Sequence, residues 1–69
     1  MGYVYYLPFR PPMPGAMPRS GLVSMEDFGD KRETPIGIDA WGKVIYNRKL
    51  TDDEVYDYEL NYGGMTDEI

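Results

Sequence analysis

The residues of this chain that could do chemistry are few. With no histidine and no cysteine in 69 residues, the commonest general base, the commonest metal ligand and the thiolate nucleophile are all missing. The two serines, Ser20 and Ser24, have no base to activate them, and no glycine-rich phosphate loop opens a helix. Catalysis, a metal and a cofactor are therefore not expected, and what remains is recognition. Arg10 and Arg19 bracket the stretch RPPMPGAMPR, where stiff polyproline backbone would fix two guanidinium groups that can grip a phosphate or carboxylate. Trp41 and Lys43 share one face of an extended segment and set a charge beside a stacking surface, and Tyr5 and Tyr6 could stack on a base. These six residues form a candidate site for a small anionic ligand. Asp53, Glu54 and Asp57 form a second candidate, an acidic helix face able to occupy a basic surface on another protein. Each set also has a plain structural reading. The tyrosines and the tryptophan suit a core or a dimer contact, the proline-rich stretch suits a rigid connector, and acids at a helix start complement its macrodipole.

The elements that would position these groups follow from local rules. Residues 38–46 alternate Ile38, Ala40, Gly42, Val44 and Tyr46 against Trp41, Lys43 and Ile45, the period of a strand. Thr51 followed by Glu54 makes a capping box, with Leu50 and Val55 placed as a hydrophobic staple, and the spacing predicts a helix over 52–62. Val55, Tyr58 and Tyr62 form one stripe of it and Tyr56 with Leu60 an adjacent one, with Gly63-Gly64 as its stop. Residues 1–9 are aromatic and β-branched, with Tyr3, Tyr5 and Leu7 on one face and Val4 and Tyr6 on the other. Residues 10–19 are a proline-rich loop, and residues 20–28 allow either one helical turn or a short strand at 21–24. Asp30-Lys31-Arg32-Glu33 reads as a solvated turn, and residues 65–69 as a frayed tail. The fold expected is a single small α+β domain over 1–69. It is a two- to three-stranded antiparallel sheet, its strands at 1–9 and 38–46 paired, with one C-terminal helix.

Composition bounds the partners. The net charge of −5 is divided unevenly. Residues 1–49 hold seven basic and five acidic residues, whereas residues 50–69 hold seven acidic residues and no basic one. Such a balance argues against binding duplex nucleic acid. No apolar run reaches the ~20 residues of a membrane span and no leader pattern opens the chain, so a cytoplasmic protein with no membrane partner is expected. Ten aromatic residues, seven of them tyrosine, exceed what so short a chain can bury. One helix covers only one face of a small sheet, so the other face is expected to meet a second copy in a homo-oligomer.

The segments YLPFRPPMPGAMPR and AWGKVIYNRKLTDDEVYDYEL resemble small accessory proteins of bacterial phages and conjugative elements. That resemblance implies a setting in the host cytoplasm where such proteins counter host immunity. They do so by sequestering a nucleotide-type signal, here in intersubunit pockets, or by capping a host defence protein, here through the C-terminal helix.

Overall fold

The structure, a computed structural model, describes residues 1–8 and 18–67. Four strands and one short helix follow in the order β1 (Gly2–Leu7), β2 (Leu22–Glu33), β3 (Asp39–Tyr46), α1 (Asp52–Asp57) and β4 (Asn61–Thr66). The strands form one antiparallel sheet in the order β2-β3-β1-β4. β1 lies centrally and pairs with β3 from Tyr3↔Tyr46 to Leu7↔Gly42.

This corrects the expected fold in two respects. The sheet has four strands rather than two or three, and the helix is internal rather than C-terminal, because a strand follows it. The helix is also shorter than the period suggested. Its last turn closes as a Schellman motif: the Leu60 amide donates to the Val55 carbonyl at 3.0 Å and the Glu59 amide to that of Tyr56 at 3.2 Å. Glu59 takes the left-handed conformation there, at φ 54°, a place usually given to glycine. Tyr56, expected beside Leu60 on the buried side, is 83% exposed.

The glycines read as a helix stop belong to β4. Gly63 sits where the register between β1 and β4 slips, and a Cβ there would lie 2.3 Å from the Tyr6 ring. Glycine is what lets the strand pass under that ring. Met65 and Thr66, expected in a frayed tail, are paired with Tyr3 and Gly2.

Residues 20–28 contain no helical turn. β2 runs unbroken to Glu33, but between Asp27↔Gly42 and Arg32↔Ala40 it bulges away from β3. Of the charged residues read as a turn, Asp30 and Lys31 sit in this bulge, whereas Arg32 and Glu33 pair with Ala40 and Asp39. Five residues, 34–38, then join β2 to β3, with three of them inside the Thr34–Ile38 closing pair. The Gly37 amide returns to the Thr34 carbonyl, Gly37 is at φ 81°, and the Thr34 amide donates to the Ile38 carbonyl at 2.8 Å. This is a type I turn with a glycine bulge, with Pro35 at the position where its fixed φ helps.

Two apolar clusters hold the sheet. Tyr5, Leu7, Val44, Tyr46, Leu50 and Leu60 form one, with Tyr3, Val55 and Tyr58 against it. Val4, Tyr6, Ala40 and Ile45 form the other, with Phe28 and Ile38. The expectation of a second copy on this other face rested on that face being open. Val4, Tyr6 and Ile45 are 9%, 9% and 4% exposed within a single chain, so the face offers no such reason. Among the described residues, no helix is long and apolar enough to cross a membrane.

Candidate functional site

Among the described residues the candidate anion site comes together only in part, with Lys43 opposite Tyr6 but Tyr5 and Arg19 elsewhere. Tyr5 is a core residue, its ring edge-on to Tyr46 at 5.9 Å and tilted against Tyr62 at 5.3 Å. Its hydroxyl accepts the Leu50 amide at 2.9 Å, and burial pushes its pKa above the ordinary tyrosine value. Tyr6 faces the opposite side of the sheet, over Gly63, so the two tyrosines share no stacking surface. Lys43 is half-buried with β1 and β2 on either side, opposite Tyr6 and Glu26, so an acid stands beside it. Trp41 is half-buried two residues along the same strand. Arg19 is exposed in the turn that opens β2, beyond the Tyr46 end of β3. Trp41 lies five residues from Tyr46, about 16 Å at strand rise. Arg10 and the centre of the proline-rich loop fall outside the described residues.

The acidic residues of α1 fare differently, and not all alike. The capping box forms as expected: the Glu54 amide donates to Thr51 Oγ1 at 3.2 Å and the Thr51 amide to Glu54 Oε1 at 3.0 Å. Arg48 completes the arrangement with a bidentate pair to Glu54, both contacts at 2.8 Å, while its Nε donates to the Ser20 carbonyl at 2.9 Å. The Arg48 hydrogen bond, then the Thr51 amide, hold the Glu54 carboxyl down at about 2. Glu54 is thus occupied in fixing the helix to the turn at Ser20 and is removed from the candidate binding set. Asp53 and Asp57 are exposed.

Sequence reasoning missed the concavity beside them. An open groove is lined by Pro8 at the end of β1, by Asp52, Val55, Tyr56 and Asp57 of α1, and by Glu59, Leu60 and Asn61 after it. Pro8, Val55 and Leu60 give it an apolar lining, and Asp52, Asp57 and Glu59 give it three carboxylates. Among the described residues, no lysine or arginine lines it. The signal was the Val55–Leu60 spacing: read as helical stripes it hides the groove, but read as the apolar pair of a Schellman motif it marks where the helix ends. Chemically, the groove repels phosphate and suits a cationic or basic side chain beside an apolar one.

Residues 1–65 match the family described as defence against restriction A C-terminal. The chain belongs to that family. The match runs from β1 into β4 and so takes in all of the sheet but Thr66, with α1 and the groove. No curated protein and no solved structure matches the chain. The membership agrees with the resemblance to phage and mobile-element accessory proteins drawn from the sequence, and supplies the family that the resemblance lacked.

Proposed function

We propose that this chain counters host restriction as a non-catalytic binding module, whose acidic groove along α1 docks on a basic surface of a host defence protein in the bacterial cytoplasm. The observation that carries this reading is the groove itself, with three carboxylates around an apolar lining and, among the described residues, no basic one in it. The defence-against-restriction family supplies the biological setting. The helix is presented rigidly, because its cap and the Arg48–Glu54 pair fix both its start and its angle to the sheet. A preorganised surface loses little entropy on docking. Exposed carboxylates steer a basic partner over a distance of about 10 Å or less at moderate salt, so the association should weaken as salt rises. Sequestration of a nucleotide-type signal has less support, since Tyr5 and Tyr6 face opposite sides of the sheet, Glu26 stands opposite Lys43, and Arg19 lies beyond the Tyr46 end of β3.

The test uses survival of unmodified DNA entering a restricting bacterium that expresses the chain. The variant Asp52→Asn/Asp57→Asn/Glu59→Gln should lose most of the protection, through a fall in partner affinity of about tenfold or more. Arg19→Ala/Lys43→Ala should keep it. Full protection by the acid-neutralised variant, with loss in the arginine–lysine variant, would overturn the proposal in favour of an anionic ligand.

A further inference from the structure

Among the described residues, the order β2-β3-β1-β4 leaves the outer edge of β2 without a strand beside it. Protein sheets normally protect such edges with bulges, charges or proline. β2 does so most heavily in its second half, and its first half carries only the slip at Val23 and the carboxylates of Glu26 and Asp27. From Phe28 onward it bulges at Gly29, which is at φ 78°, and carries the Asp30–Arg32 ion pair at 2.7 Å. Residues 22–27, LVSMED, follow β3 from Leu22↔Tyr46 to Asp27↔Gly42 with one slip at Val23, and contain no lysine, arginine or proline. Leu22, Val23 and Met25 are 36%, 46% and 43% exposed. The other edge strand, β4, is half as long and broken by the Gly63-Gly64 irregularity.

We propose that this edge pairs with the same edge of a second copy, antiparallel about a two-fold axis at Met25, to give one continuous eight-stranded sheet. The self-complementarity of the segment selects a second copy as occupant. A two-fold axis normal to the sheet sets residues of the same face opposite one another. With Met25 opposite its counterpart, Ser24 faces Glu26 of the other copy and Val23 faces Asp27. Apolar side chains then meet at the centre, each Glu26 lies beside a hydroxyl, and no carboxylate stands directly opposite another. Like charges directly opposite would disfavour pairing. The arrangement keeps both α1 grooves on one side of the joined sheet, open for docking. It depends on neither the groove nor its partner.

Sedimentation equilibrium of the 69-residue chain over micromolar to millimolar concentration tests this. The mass should rise reversibly from 7.9 kDa towards twice that value. Met25→Lys, which sets two ammonium groups across the axis, should weaken association at least tenfold, as should Val23→Asp, which sets a carboxylate opposite Asp27. Both positions are exposed, so circular dichroism should be unchanged. Tyr62→Lys on β4 should leave the association intact. A monomer at every concentration, or a dimer that tolerates both Met25→Lys and Val23→Asp, would overturn the proposal.

Discussion

The sheet under α1 and the outer strand β2 satisfy their polar groups in opposite ways. Under α1 the hydrogen bonds are long-range in sequence. Tyr5 accepts the amide of Leu50, the Tyr46 hydroxyl donates to the Pro18 carbonyl, and Arg48 reaches Ser20. In β2 the bonds are short-range. The Gly29 amide donates to Asp27, and Arg32 donates to Asp30 and to the Phe28 carbonyl while lying over the Phe28 ring. The first kind ties distant parts of the chain into one unit. The second only shapes a bulge, and leaves the strand's outer half available. The difference teaches where this small protein concentrates its stability and where it leaves surface for others.

If that contrast is right, the largest effect should come from the α1 side. Leu7→Ala empties a fully buried position between β3 and the helix, and should cost about 2–5 kcal/mol in urea unfolding. Val23→Ala on β2 should cost no more than about 0.5 kcal/mol. Comparable losses at the two sites would break the comparison.

Next is the alkaline limb of stability. Burial pushes Tyr46 up to about 12, so the unfolded chain releases that proton near pH 10 while the folded chain keeps it. Stability should be complete below pH 10 and fall between pH 10 and about 12, on the order of 2–3 kcal/mol for this group. Tyr5 shifts in the same direction and should add to the fall. On the acid side Glu54 works in reverse: its contribution is present above the ordinary glutamate value of 4.5 and is lost as pH falls towards about 2. Thermal unfolding from pH 2 to pH 12 checks both limbs. Tyr46→Phe should flatten the alkaline one.

The smallest of the three concerns the β1–β4 join. Gly63→Ala drives a methyl group into the Tyr6 ring, and should cost about 1–3 kcal/mol, with loss of amide protection confined first to β4. Protection lost equally in β2 would mean that the two edges are not independent.

What could be read from the sequence divides along the same line. The strand 38–46 and the cap at Thr51 and Glu54 depend on local period and local hydrogen bonds, and the sequence carries them openly; the pairing of the first strand with the third follows from their being the two long apolar extended segments. The role of Tyr5 does not, because its partner amide lies forty-five positions away. β4 was hidden because Asn61, Gly63 and Gly64 are poor strand formers, and their place is set by the bulge opposite β1. Helical spacing carried the reading through Tyr62, since nothing local announces that Glu59 will turn left-handed. The groove was illegible for the same reason. Its acidic residues were in view, but the apolar lining that makes them a site exists only once the helix stops at Asp57.

The pairing of Gly2 with Thr66 has a consequence for how the chain assembles. The β2–β3 hairpin closes over a short turn and can nucleate within microseconds. β1, the first of these four strands to be synthesised, must wait for β3 on one side and for β4, the last of the four, on the other. Its final neighbour comes only after a loop of more than fifty residues has closed, a step that slows folding in proportion to the entropy it removes. During translation the central strand is therefore exposed longest. The same adjacency puts Gly2 and Thr66 one strand spacing apart, so linking residue 67 back to residue 1 and opening the chain at the turn after Thr34 would give a permuted protein in which β1 and β4 meet first.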